Sequence, residues 1–324
     1  MMKRILFLVA VIFASPVVGE PSPARIENWR EGTALPRTLP DARSVVLNNQ
    51  IYVMNGVGSQ SFFELYDVAA DGWRPLTPLP VNLKHFALAA GGGRIYLSGG
   101  KGAGGKGADG AGDVWIYAPD AALWIRRAKL PTPRAGHVSV VADGKLFLLG
   151  GISDAAGKVQ IYDISTGIWD TISAAPPETM PVAVAHSNAV LWGDEIVLVG
   201  GVTADGHDAA IVQAFNIKTN RWRRLANLPQ AASGVGVAVI NDALHVLGGY
   251  AQSAQNVLDT HFSLVKNKWR KQISLPHGIH QMATSTTHTK GKSQIVLIGG
   301  ALGGGFYAVF TASDRVSIYE PTSR

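Results

Sequence analysis

The hydrophobic pattern of this chain comes in short bursts. Runs such as His137–Val141, Lys145–Leu149, Val159–Ile164 and Ile168–Ile172 are rich in β-branched and aromatic residues, which is the pattern of short strands. Four such runs recur about every fifty residues, the length of a repeat unit. Two markers fix the period. Trp29, Trp73, Trp124, Trp169, Trp222 and Trp269 each stand six residues before a Leu-Pro or Ala-Pro pair, the last being Leu275-Pro276. A glycine-type pair then follows: Asn55-Gly56, Gly99-Gly100, Gly150-Gly151, Gly200-Gly201, Gly248-Gly249 and Gly299-Gly300. The step from the first residue of each Pro-containing pair to its glycine pair is 20 residues in four repeats and longer in the fourth and sixth, which predicts insertions there.

A four-stranded unit with a glycine pair ending its second strand, Tyr-Asp as in Tyr66-Asp67 and Tyr162-Asp163, and a Trp in the fourth strand resembles the Kelch repeat. The resemblance covers residues 26–320 and implies an all-β fold, a six-bladed Kelch β-propeller in one domain. Asn55 in place of a first glycine, and Tyr117-Ala118 in place of Tyr-Asp, are local departures. The glycines are expected where blades narrow toward the axis, and the six Trp as core between blades. The sixth repeat ends at Val316–Tyr319 without its own Trp, so Ile26–Ala34 is expected to leave the N-terminus and lie as the outer strand of blade six. That closes the ring and removes a free sheet edge.

Composition changes this picture in three ways. Residues 1–19 carry Lys3 and Arg4, an apolar run from Ile5 to Ala14 and small residues ending at Gly19, the pattern of a signal peptide rather than a membrane span. Cleavage after Gly19 would leave 20–324 as the exported propeller, periplasmic or secreted, not membrane-spanning and expected to be a monomer. The chain has no cysteine, so disulfides and thiolate chemistry are excluded. Its formal charge of +6 falls to +4 when Lys3 and Arg4 leave, a mild value with no basic-aromatic motif, and nucleic acid is not expected as a partner. Basic residues follow the Trp in five repeats, Arg30, Arg74, Arg126, Arg223 and Arg270 among them, where charge protects outer strands from edge-to-edge pairing.

Candidate chemistry begins with the loop at 100–107, Gly-Lys-Gly-Ala-Gly-Gly-Lys-Gly. It lacks the hydroxyl after Lys106 and the helix that a phosphate-binding loop needs. The run from Gly104 to Asp109 is one copy of a calcium-binding half-site that needs tandem copies. No metal and no cofactor is expected. In a propeller, residues just before the innermost strand and just after the glycine pair face the axial funnel. The candidates for ligand binding are Lys84, His85, Arg134, His280, Tyr250 and Lys101, with His277 beside them, and the weaker candidates for catalysis are His137 and Glu178. Arginine grips a carboxylate bidentately, and histidine or glutamate moves a proton.

Galactose oxidase-like Kelch enzymes need a cysteine-tyrosine crosslink, which this chain cannot form. The exported bacterial sialic acid mutarotases, or N-acetylneuraminate epimerases, are similar in size, export and blade number. In that family a glutamate follows one glycine pair; here the positions are Val57, Lys101, Ile152, Val202, Tyr250 and Ala301. The resemblance therefore implies fold and compartment without the catalytic glutamate. The leading expectation is a ligand- or protein-binding scaffold for a protein or carbohydrate, anionic ligands included; the alternative is a sugar mutarotase with other acid-base residues.

Overall fold

A computed structural model describes residues 27–55, 62–102, 112–170, 179–289 and 291–321. Six four-stranded antiparallel sheets surround a central channel. Their innermost strands are Ala42–Leu47, Ala87–Gly91, Val138–Ala142, Asn188–Trp192, Gly236–Ile240 and Ala283–Thr289, one per blade. Strands fall within a residue or two of the sequence expectation: Lys145–Leu149 is unchanged, and Val159–Ile164 contracts to Gln160–Asp163. Buried residues of adjacent blades share clusters, as when Ile51 and Val53 of blade one meet Val296 and Ile318 of blade six. The hydrophobic core is thus a set of seams between blades, and each blade depends on its neighbours.

The N-terminal strand closes the ring. Trp29–Gly32 pairs antiparallel with Val316–Tyr319, Trp29 opposite Tyr319, and Arg30 Nε donates to Glu320 at 2.8 Å. Trp29 is 2% exposed and packs on Tyr319 at 5.2 Å between ring centroids. The other outer-strand Trp repeat this arrangement: Trp73 packs on Tyr66, Trp124 on Tyr117, Trp169 on Tyr162 and Trp222 on Phe215. Several also reach the preceding blade. The indole N–H of Trp73 donates to the Thr33 carbonyl, that of Trp124 to Thr77 and that of Trp269 to Ala226. Only Trp29 and Trp222 are fully buried; the others keep an edge in solvent while fastening one blade to the next.

The glycine pairs serve a different contact from the one expected. They lie where the end of a second strand meets the loop entering the next blade, and Gly100, Gly151, Gly201, Gly249 and Gly300 donate to carbonyls of that loop. A Cβ on Gly200 would stand 2.4 Å from the Ala232 carbonyl oxygen, and one on Gly248 would stand 2.3 Å from that of Ile279. Backbone approach between blades, rather than narrowing toward the axis, excludes a side chain there.

The two insertions fall in the fourth and sixth repeats, as the spacing indicates. In repeat four, Met180 N donates to Gly157 O just as Leu130 N donates to Gly112 O and Leu228 N to Ala210 O. Met180-Pro181 is therefore that blade's Leu-Pro equivalent, and the extra residues lie before it. In repeat six the added length extends the inner hairpin, whose strands Ala283–Thr289 and Lys292–Ile298 have seven residues each. On the perimeter, Arg126 pairs with Asp113 and Arg223 with Glu195, both within their own blade. These cations are neutralised in place. No helix among the described residues is long and apolar enough to cross a membrane.

Candidate functional site

The site is built by the residue that stands two positions before the inner strand, five after the repeat proline. His85, Gly136, His186, Gly234 and Gln281 occupy it in blades two to six, all left-handed with φ between 53° and 64°. Their backbones form a chain of hydrogen bonds round the mouth. Gly136 N donates to His85 O at 2.7 Å, His186 N to Gly136 O at 2.8 Å, Gly234 N to His186 O at 3.4 Å and Gln281 N to Gly234 O at 2.8 Å. Blade one extends the chain differently: Ala42 N donates to Gln281 O at 3.2 Å.

Left-handed backbone in a non-glycine residue costs about 1 kcal/mol or more and persists where the surroundings impose it. Here it turns His85, His186 and Gln281 over the axis. The two glycines make room for them, since a Cβ on Gly136 would lie 3.0 Å from the His186 ring and one on Gly234 would lie 3.0 Å from Gln281 Cγ.

Beneath this rim lies a cavity of about 290 Å³ whose walls include Arg43, His85, His186, Tyr250, His280 and Gln281. It opens toward the channel proper, about 340 Å³, walled by the six inner strands and sharing Arg43, Asn188 and Met282 with the mouth. The charged groups are concentrated on one side. Asp41 Oδ1 lies 3.2 Å from Arg43 Nη2, and Asp41 Oδ2 lies 3.8 Å from His85 Nδ1. The rings of His85 and His186 meet edge to face at 5.0 Å. Burial, followed by the neighbouring His85 and Arg43 charges, pulls His186 down to about 4. Burial also lowers His85, against the upward pull of Asp41. Both imidazoles are neutral at pH 7. His85 Nδ1, Arg43 Nε and Ser187 Oγ, all buried in residues that line the cavity, find no hydrogen-bond partner among the described residues.

The candidates named from sequence divide. His85, His280 and Tyr250 line the mouth. His280 Nε2 donates to the Gly303 carbonyl at 2.8 Å, which fixes its tautomer, and its ring lies 5.5 Å from that of Tyr250. Lys84 and Lys101 pair with each other in a two-residue ladder beside the mouth, and both charges reach His85. His277 instead sits in a side crevice with Arg315. Glu178 lies outside the described residues, as does most of the glycine-rich loop.

Arg134 does not reach the mouth. It is 1% exposed, and its guanidinium donates to the carbonyls of Gly150, Ala155 and Lys158. Burial lowers it to about 10, still charged at pH 7. The equivalent residues of other blades are the buried Leu39, Leu83, Val184, Ala232 and Ile279, so Arg134 is a polar strut in a core position. His137 lines the channel below the mouth, with Nε2 2.9 Å from Ser98 Oγ and burial holding it well below its ordinary value.

Arg43, Asp41 and His186 complete the site without having been singled out from sequence. His186 had a readable signal, five residues after Pro181. Asp41 and Arg43 had a weaker one, since blade one enters through Leu39-Pro40-Asp41 without the left-handed turn. Among the described residues, no group of three or more metal-ligating side chains converges.

Comparison with known proteins follows the same architecture. The Kelch-repeats domain described for KLHDC2, KLHL20 and DRC7 matches residues 84–300, more than half of the chain. Kelch-like protein 35 of Mus musculus is 25% identical over 267 residues, spanning 81% of this chain and 44% of its own length. Kelch-like protein 36 of Rattus norvegicus is 27% identical over 277 residues, spanning 78% and 43%. The chain thus spans less than half the length of these curated relatives. The solved structure of YjhT superposes with a TM-score of 0.70 at 20% identity, covering 87% of this chain and 95% of that one. At that identity the likeness speaks for the fold alone.

Proposed function

Since the chain belongs to the Kelch-repeat family, its match running over residues 84–300, we propose that it is an exported binding propeller whose axial mouth takes an anionic ligand. The observation that carries this reading is the cluster of Arg43, Lys84 and Lys101 round the His85–His186 pair, beside a cavity of about 290 Å³. Three cations against the single carboxylate of Asp41 favour a carboxylate-bearing partner, a sugar acid or an acidic protein side chain. Arg43 takes the gripping role because its side chain, about a quarter exposed, lines the cavity that Arg134 does not reach. The resemblance of residues 1–19 to a signal peptide supports export, with Gly19-Glu20 as the processed bond.

Titration calorimetry against N-acetylneuraminate, glucuronate and envelope glycan fragments tests the mouth. Arg43→Ala is expected to weaken a bound acid by about 1.5–3 kcal/mol, the worth of a charge-assisted hydrogen bond, and binding should weaken with salt. Intact mass of secreted material tests the export. A second reading has its own observation: His85 beside Asp41, with His186 at 5.0 Å, supplies proton donors and acceptors of the kind sugar-ring opening needs. Anomer exchange followed by NMR, lost in His85→Asn, would support a mutarotase; exchange at the uncatalysed rate rejects it.

A further inference from the structure

We propose that the mouth binds its carboxylate together with one proton, which His85 takes up between Asp41 and the incoming anion. This rests on the reading of the mouth as an anion site and adds its regulation: affinity set by pH.

The geometry points to His85 rather than its neighbours. Its Nδ1 stands 3.8 Å from Asp41 Oδ2 without a hydrogen-bond partner among the described residues. Its side chain is 37% exposed, so a ligand can reach the ring. The direction in which its side chain leaves the backbone is held, because the hydrogen bond from Gly136 N to its carbonyl at 2.7 Å supports its left-handed φ of 55°. His280 is committed to the Gly303 carbonyl and packs against Tyr250. His186 is the more deeply buried member of the pair, and the Gly136 backbone closes over its ring.

The groups whose charge reaches His85 are Asp41, Arg43, Lys84 and Lys101. Burial and the three cations oppose a proton on the ring, and only Asp41 favours it. An incoming carboxylate reverses this balance by offsetting the cations and adding a second negative partner. An opposite charge within about 4–6 Å moves a titrating group by roughly one to three pH units. Burial and the cations hold His85 below its ordinary value, and the incoming charge moves it back toward the protonated form. The empty mouth therefore holds a neutral imidazole and the filled mouth an imidazolium, and binding draws a proton from solvent.

The experiment is calorimetry of the purified chain with glucuronate and N-acetylneuraminate between pH 5.5 and 8, in buffers of different ionisation heat, with glucose as neutral control. Uptake approaching one proton per ligand is expected near pH 7, with affinity rising up to about tenfold per pH unit lowered and levelling once the free His85 is protonated. His85→Asn suits the backbone, since asparagine tolerates left-handed φ, and should flatten the pH dependence and bring uptake close to zero. Binding without buffer-dependent heat and with pH-independent affinity overturns the proton uptake while leaving the anion site standing. Uptake that persists in His85→Asn overturns the assignment to His85. No binding of either acid across the range overturns both this inference and the reading beneath it.

Discussion

Two pairs of histidines stand at nearly the same spacing, ring centroids 5.0 Å apart for His85 and His186 at the mouth and 5.1 Å for His245 and His261 at the closure seam. At the seam, His261 Nδ1–H donates to the Ile273 carbonyl at 3.2 Å, which leaves Nε2 to accept from His245 Nδ1–H at 2.8 Å. Tyr319 meets the His261 ring edge-on at 4.8 Å and Trp29 lies 6.2 Å away. Burial pulls these two down to about 4 and about 3. The seam pair is used up internally and sealed by the strand that closes the ring. The mouth pair lines a cavity and has an unused nitrogen and cations on its flank. Histidines alike in spacing and neutrality are thus structural in one place and available in the other, and what separates them is where their polar atoms are spent.

The seam is where the largest stability effect is expected. Trp29→Ala removes the indole that packs on Tyr319 and should cost about 3–5 kcal/mol in urea denaturation; an unchanged midpoint would reject closure by the N-terminal strand. Arg134→Ala should come next, at about 3 kcal/mol, because buried carbonyls lose a charged donor. Its ligand affinity should stay at the wild-type value, which sharpens the division between strut and site.

Acid should act on both pairs. His245, His261, His186 and His137 are all held below 6.5 by burial, so the unfolded chain binds protons first. Their contribution to stability is present above about pH 6.5 and is lost as pH falls toward their folded values, about 1.4 kcal/mol per pH unit for each proton. Melting followed from pH 7 to 4 should show this slope; His186→Asn should remove the mouth's share and leave the seam's. The smallest effect is expected of Gly136→Ala. Its φ of 64° and the 3.0 Å approach to the His186 ring predict a loss of about 1 kcal/mol with a displaced His186, read as weakened ligand binding more than as a lowered melting point.

Much of the fold was legible because its markers are contacts between blades. The Trp side chains pack in seams between blades, and Gly150, Gly200, Gly248 and Gly299 admit the next blade's backbone, so both markers recur with the blades. The closure followed from Trp29 standing ahead of the first glycine-type pair. The site was legible only in part. His85 and His280 fell on the mouth by position, but His186 was hidden by the insertion that makes Pro176 look like the repeat proline in place of Pro181. Arg134 was attractive as a lone arginine before a strand, yet it occupies the position of Leu83 and Ile279, buried apolar residues in their own blades. Whether an arginine turns inward to carbonyls or outward to a ligand depends on the backbone of the loop at 150–158, which no local pattern encodes.

The most direct measurement is an NMR titration of the histidine-labelled protein with glucuronate and N-acetylneuraminate, reading each imidazole separately. The account predicts that the His85 and His186 signals move and saturate with ligand while those of His245 and His261 stay in place. Saturable binding that leaves His85 and His186 unmoved would contradict it, and would send the ligand to the blade surfaces instead.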